Sequence, residues 1–454
     1  MTGTGLRRSR AAWSAVVATL LLALLGLPTA RASAAEPPVR IMLVGDSMTE
    51  GSSGDWTWRY RLARYLDAAG VVYDFVGPRT TMLDLASNEH TSTEYVDPTF
   101  DQHHFARWGE SLHLILNENA AVPEDSIGWA VSTYQPDVVV ELLGINDLLF
   151  GSPPQETLDV AHTFVDEVRA AKPDTTLVMS TVPGEQYPHV ADYNTLLRAA
   201  APTWSLPSSP VVVSDPAPGW SPADDTCDNT HPSAVGDVRI AAAEQDALSS
   251  LGIGSPAPRP LPTPPVGPRQ PAVLDGARGN GQAFLTWRLP PGGTAVLISV
   301  RNASAGEAWR QLPFPVQGTS WVSAGLNNGD TYEYRLHVLK HECLAADIES
   351  NSVAITPGPR SPRRVTGLHV TPVDHGLRAR WSPTPRATSY GVWVKRSDRR
   401  TGWTRYRSDR LTKTVHGLRA KVSYDVAVRA RNAGGVGPLS RTVTVVPGPA
   451  RPRS

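Results

Sequence analysis

Apolar residues follow two different rhythms along the chain, and the rhythm changes near residue 253. Between residues 35 and 252, short unbroken apolar runs alternate with segments of helical period. Residues 40–44, 71–76, 137–143, 176–181 and 211–214 are the runs. All five read as strands, and residues 137–143, apolar almost throughout, as one covered on both faces. Trp58, Leu62, Leu66 and Ala69 recur at helical spacing, and Gly70 supplies a C-terminal stop. A second helix is expected from about Glu156 to Ala171, with Leu158, Val165 and Val168 on one face and Pro173 past its end. A third begins near Ser233 and ends before Gly252. Strands alternating with helices predict a parallel, three-layer α/β sheet.

Residues 254–271 are dense in proline, with Pro256, Pro258, Pro260, Pro262, Pro264 and Pro265, and predict a semi-rigid extended spacer. Beyond it the helical period is lost and short alternating strands appear twice. Trp287 precedes Leu326 and Tyr332, and Trp381 precedes Leu418 and Tyr424. A Pro-rich joint at Pro357, Pro359 and Pro362 separates the copies. A strand-rich repeat of about 90 residues predicts two β-sandwiches. Both copies resemble fibronectin type III domains; the second also carries Asn432-Ala433-Gly434-Gly435 and Gly437-Pro438, like that family's last turn. The expected organisation is a leader at 1–34, an α/β body at 35–252, a linker at 253–271, and sandwiches at 272–357 and 362–447.

The leader is read from Arg7, Arg8 and Arg10 ahead of an apolar stretch, residues 11–27, and from the cleavage candidates Ala30-Arg31-Ala32 and Ala32-Ser33-Ala34. Export of a mature chain without a membrane span is the expectation. Charge is distributed unevenly. Residues 35–252 carry 10 basic and 32 acidic side chains, a net of −22, whereas residues 253–454 carry 29 and 11, a net of +18. An acidic body with a basic tail points to anionic wall polymers or glycans, or to contact between the two regions. Arg396, Arg399, Arg400, Trp403, Arg405, Tyr406, Arg407 and Arg410 interleave charge with aromatics in that tail; a solvated face is the simpler reading, and no nucleic acid is expected. Cys227 and Cys343 are the two cysteines, and sequence leaves open whether they pair.

Candidate chemistry sits at strand ends. Gly45-Asp46-Ser47 follows the first apolar run, where open α/β sheets place their ligands. Ser47 there is either a nucleophile or an ordinary helix N-cap. Asp228 and His231, three residues apart, form a carboxylate–imidazole pair able to serve it, and Pro232 keeps His231 outside the following helix. Asp224 and Asp225 are nearby alternates. Asn146, in Gly144-Ile145-Asn146-Asp147, offers a side-chain amide to an oxyanion, and Gly109 offers a backbone N–H. Asp147 reads as a brace for its turn. Trp56, Trp58 and Tyr73 are read as core before acyl pocket. His90, His103, His104, His113, His162 and His189 show no metal-ligand spacing, so no metal site is expected.

Gly45-Asp46-Ser47-Met48-Thr49-Glu50-Gly51, Gly109, Gly144-Ile145-Asn146-Asp147 and Asp228-Asn229-Thr230-His231-Pro232 resemble the four blocks of the SGNH (GDSL-like) hydrolases. The resemblance covers about residues 38–252. In the second block only Gly109, between Trp108 and Glu110, follows the pattern. The resemblance implies a flavodoxin-like fold and ester hydrolysis without a cofactor. It implies Ser47, Gly109, Asn146 and His231 as the four namesake residues, with Asp228 as the triad acid. The expected function is a secreted serine esterase, with acylated polysaccharide as one substrate class. A lipase- or phospholipase-type esterase is the alternative. A wall- or polysaccharide-binding protein with an inert α/β body is the alternative of another class.

Overall fold

The computed structural model describes residues 37–116, 125–398 and 402–448. The expected leader and the arginines at 399 and 400 lie outside them.

The first strand, β1 (Val39–Gly45), is apolar because it lies at the centre of a sheet covered on both sides, and Ile41, Met42, Leu43 and Val44 are wholly buried. It pairs in parallel with β2 (Tyr73–Val76) on one edge and β3 (Val138–Leu142) on the other. β4 (Thr176–Ser180) and β5 (Val211–Ser214) complete the order 2-1-3-4-5, all parallel. This is the flavodoxin-like order, with its switch point between β1 and β3. A two-residue strand, Phe105–Ala106, continues the β2 edge by pairing with Val44 and Gly45.

Parallel neighbours require crossovers, and helices supply them. α1 (Trp58–Ala68) joins β1 to β2, and Gly70 follows its cap in the left-handed region. α2 (Ile127–Tyr134) precedes β3, α3 (Pro154–Ala171) joins β3 to β4, and α4 (Val190–Ala200) joins β4 to β5. α5 (Ala234–Ser250) follows β5, capped by the Ser233 side chain, and packs on α1. Right-handed crossovers running in opposite directions from the switch point put α1 and α3 on opposite faces of the sheet. α3 begins two residues earlier than its apolar face predicts, because Pro153 and Pro154 fit a helix start. α2 and α4 are absent from the sequence expectation, although both keep a helical period, with Ile127, Ala130 and Val131 buried in one and Val190, Tyr193 and Leu197 in the other.

Two antiparallel sandwiches follow. In the first, β6 (Val273–Arg278), β7 (Gln282–Arg288) and Ser320–Ala324 face a sheet centred on β8 (Ala295–Asn302), β9 (Tyr332–Lys340) and β10 (Cys343–Glu349). In the second, His369–Val373, Gly376–Arg380 and Thr412–His416 face Thr404–Ser408, Ser389–Arg396 and Tyr424–Asn432. Trp287 and Trp381 anchor the two cores. The repeated tyrosine has a physical task. Tyr332 Oη accepts from the Asn327 N–H at 3.1 Å, and Tyr424 Oη from the Arg419 N–H at 3.1 Å. Each bond closes a tyrosine corner five residues wide.

The Pro-rich segment has no helix or strand, yet it is strapped down at both ends. Ala257 N donates to Asp246 on α5 at 2.8 Å, and Arg269 pairs with Asp347 on β10 at 2.9 Å. It therefore lies along packed modules rather than bridging open solvent.

Candidate active site

Three strand ends and one loop meet at the switch point. At the end of β1 the chain must turn at once. Gly45 allows this because a Cβ there would lie 2.0 Å from Thr49 Oγ1 and 2.9 Å from the Leu142 carbonyl. A short helical turn, Ser47–Glu50, follows, capped by Asp46, which accepts from Met48 N at 2.9 Å. Ser47 is the first residue of that turn, so its N–H has no partner within the turn itself. Asp46 is wholly buried; burial is the main reason its carboxyl is pushed up to about 7.

The loop between β5 and α5 carries the other half. The Ser47 hydroxyl lies 3.0 Å from His231 Nε2, although the residues are 184 positions apart. His231 Nδ1 lies 2.7 Å from Asp228 Oδ2. The loop is shaped by Asp228 itself, whose Oδ1 accepts from Thr230 N at 3.1 Å and from His231 N at 2.7 Å. Burial alone would raise the Asp228 carboxyl. The bond and charge of the His231 ring, with the two backbone donors, outweigh it and hold the group far below the usual carboxylate range. Asp228 is thus an anion, oriented to keep the proton on Nδ1 and leave Nε2 to face the hydroxyl. The alternates are engaged elsewhere: Asp225 pairs with Arg239 at 2.8 Å, and Asp224 accepts from Ser221 Oγ at 2.9 Å.

Gly109 and Asn146 reach the same rim from two sides. Arg107 N donates to Gly45 O at 3.2 Å, which brings the 107–110 turn beside Ser47. Gly109 adopts φ +82°, and no heavy atom lies within 4 Å of the position a Cβ would take there. Asn146, just past β3, donates from Nδ2 to Glu110 O at 2.7 Å. An amide carries two N–H bonds, so one ties down the Gly109 turn and the other is left for a ligand. Asp147 braces that same segment: its carboxylate accepts from Leu112 N at 3.0 Å, His113 N at 3.2 Å and His113 Nδ1 at 2.7 Å.

Two supporting groups were not legible in the sequence. The Trp108 ring stacks on His231, with centroids 4.2 Å apart and planes 27° apart. Trp108 N in turn donates to the buried Glu50 carboxylate, whose other oxygen meets His90 Nδ1 at 2.8 Å. Trp108 stands beside Gly109 in the chain, but nothing in linear order places it over a histidine more than a hundred residues away. The histidines that showed no metal spacing have other duties here. His90 buttresses Glu50, His113 sits on Asp147, His103 sits on Asp101, and His104 is buried between Thr81 O and Ala106 N. Trp58 is core, Tyr73 packs against Phe75, and Trp56 lies under the Arg61 guanidinium. Among the described residues no three metal-ligating side chains stand together.

Cys227, at the start of the loop that carries Asp228 and His231, is joined by a disulfide to Cys343 at the start of β10. Among the described residues no helix is long and apolar enough to cross a membrane.

The chain is similar to known proteins in both its α/β and its strand-rich regions. The sequence model of the GDSL-like lipase/acylhydrolase family matches residues 43–238. A multidomain esterase of Ruminococcus flavefaciens is 27% identical over 228 residues, covering 46% of this chain and 28% of that protein. Fibronectin type-III domain-containing protein 3a of Gallus gallus is 26% identical over 205 residues, covering 41% of this chain and 16% of that protein. The chain thus spans less than a third of the length of these curated relatives. Among solved structures, a carbohydrate esterase family 3 protein from Talaromyces cellulolyticus is 24% identical with a TM-score of 0.39, covering 47% of this chain and 97% of its own. The α/β body of this chain, with the Ser47 turn at the end of β1 and the Asp228–His231 loop before α5, is the region that the GDSL-like lipase/acylhydrolase family model matches.

Proposed function

We propose that the protein is an exported carboxylic ester hydrolase acting through an acyl-Ser47 intermediate. The observation that carries this reading is the series Ser47 Oγ, His231 Nε2, His231 Nδ1 and Asp228 Oδ2, with contacts of 3.0 and 2.7 Å. Ser47 attacks the ester carbonyl while His231 takes its proton as general base. Asp228 stabilises the imidazolium that forms. The N–H groups of Ser47 and Gly109 and the free N–H of Asn146 receive the negative oxygen. His231 then gives its proton to the departing alcohol, which leaves acyl-Ser47. A water deprotonated by His231 attacks that ester, the acid departs, and Ser47 regains its proton. No step requires a cofactor.

Export rests on the basic-then-apolar N-terminal pattern of the sequence. A cross-link between Cys227 and Cys343 is in keeping with an oxidising compartment. An acylated polysaccharide is the substrate class we favour, because tandem sandwiches with a basic bias accompany an acidic catalytic body. In the second sandwich, Arg396 and Arg407 are paired to Asp398 and Asp409, and Lys395 lies 5.1 Å over the Trp403 ring. The net +18 of residues 253–454, rather than these paired side chains, supports contact with anionic glycans in the same molecule.

Ser47→Ala tests the reading. Turnover of short p-nitrophenyl acyl esters is expected to fall to background with the fold retained. A variant that keeps most of the wild-type turnover contradicts it. Acetylated xylan and pectin, assayed beside long-chain esters, separate a carbohydrate esterase from a lipase.

A further inference from the structure

The two halves of the site come from chain segments far apart, and within the α/β body each is held largely by its own neighbours. A third element touches both. The hairpin turn between β9 and β10 of the first sandwich, Lys340–Cys343, is wedged between the segment that follows Ser47 and the loop that carries Asp228 and His231.

On the Ser47 side, Lys340 Nζ donates to Ser53 O at 3.0 Å and forms an ion pair with Asp55. Lys340 is almost fully buried, so these partners are what make its charge tolerable. Asp55 in turn accepts from Ser52 N at 2.6 Å. The adjacent 290–292 loop presses on the same segment: a Cβ at Gly292 would lie 2.4 Å from Ser53 O, and one at Gly54 would lie 2.5 Å from Pro291 O. On the His231 side, Glu342 N donates to Cys227 O at 2.7 Å, and Cys343 is bonded to Cys227. Between the two anchors stands His341, held in the left-handed region at φ 51° with its N–H on Thr294 Oγ1 at 2.8 Å. Its Nε2 lies 3.8 Å from Asp228 Oδ2, the oxygen that receives His231 Nδ1.

The catalytic loop needs such support. Residues 227–231 lie outside regular structure and are closed by Cys227 N to His231 O at 3.1 Å, with Asn229 at φ 72°. We propose that the turn Lys340–Cys343 is a positioning element of the active site, clamping the Ser47 segment and the Asp228–His231 loop in register, with His341 a positioning residue for Asp228. The first sandwich is therefore part of the catalytic unit and not a tethered passenger. This inference rests on the reading of Ser47, His231 and Asp228 as the triad.

The test uses the full mature chain with Cys227→Ser/Cys343→Ser, Lys340→Met and His341→Ala. Steady-state kinetics on p-nitrophenyl acetate is the first readout, and hydrogen exchange of peptides spanning residues 226–233 is the second. The expected result is a fall in kcat of about tenfold or more for the first two variants and about threefold for His341→Ala, since small displacements of reacting groups are costly. KM stays within about twofold, and the 226–233 amides exchange faster. If the double-cysteine variant does not fold, mild phosphine reduction of folded wild type replaces it, with kcat falling on reduction and returning on reoxidation. A lowered melting temperature with wild-type kcat and unchanged exchange would make the turn a plain structural staple and overturn the proposal. Wild-type turnover that Ser47→Ala abolishes upholds the parent reading whatever the turn variants do. Were wild type inactive on every ester, the exchange readout alone would decide for or against the clamp.

Discussion

The ring of His231 is shared by three neighbours with different tasks. Asp228 fixes its tautomer, the Ser47 hydroxyl donates to its free nitrogen, and Trp108 covers its face. A stacked aromatic pair contributes about 0.5–1.5 kcal/mol beyond its buried area. If that is lost from the transition state, Trp108→Ala lowers kcat/KM a few-fold to about tenfold, whereas Trp108→Phe keeps most of it. Equal losses in the two variants would remove the stack from the account. In the proposed mechanism Asn146 serves the oxyanion as well as the Gly109 turn, so Asn146→Ala is expected to cost about 10²–10³ in kcat; an effect below about threefold on short acyl esters would make it structural only. At this scale the sequence pointed to Ser47, Asn146, Asp228 and His231 as candidates, because each stands in a short motif whose residue types suit the chemistry. It was silent on Trp108, Glu50 and Lys340, because a buttress is defined by proximity in space, and many residue types can serve.

Elements bring those residues together through one feature of the sheet. β1 and β3 are neighbours whose following connections leave in opposite directions, which opens a crevice at their carboxyl ends. Ser47 and Asn146 each follow one of these strands, and the short Phe105–Ala106 strand adds the Gly109 turn to the same edge. The five long strands could be read from their apolar runs because both faces are covered. The Phe105–Ala106 strand could not, since two residues carry no period. Gly45 is where this architecture has least tolerance. Gly45→Ala forces a methyl against the Leu142 carbonyl and the Thr49 side chain. We expect about 1–3 kcal/mol of lost stability, together with a fall in the rate of Ser47 acylation. Chemical denaturation and a fluorophosphonate labelling rate check the pair of effects, and a variant unchanged in both would contradict the packing argument.

For the molecule as a whole, the acidic body buries several carboxyl groups beneath the sheet and near the site. Glu244, bonded to Ser180 Oγ at 2.8 Å, is raised to about 8 from an ordinary 4.5, chiefly by burial. Burial likewise pushes up Glu141, Asp237 and Asp46. The folded state therefore keeps protons that the unfolded chain has released, so stability is full below about pH 4.5 and declines as pH rises toward about 8. Asp228, held low, works in the opposite sense but only at pH below the ordinary carboxylate range. The melting temperature is expected to drop between pH 5 and 8, and Glu244→Gln should flatten that drop while matching wild type near pH 5. Parallel curves for the two proteins would contradict the assignment. The basic sandwiches make a separate prediction. Binding of the intact protein to anionic glycans should weaken steeply with added salt, and salt-independent retention would rule out the electrostatic reading. The docking of the first sandwich on the Asp228–His231 loop was hidden from sequence, since charge bias and a Pro-rich stretch describe a tail and not where it rests. The central claim remains the activated Ser47 hydroxyl, and it is tested most directly by reacting the folded protein with a fluorophosphonate and locating the adduct by peptide mass spectrometry. The account predicts one adduct, on Ser47, abolished by His231→Ala; an unlabelled protein, or label on another residue, would contradict it.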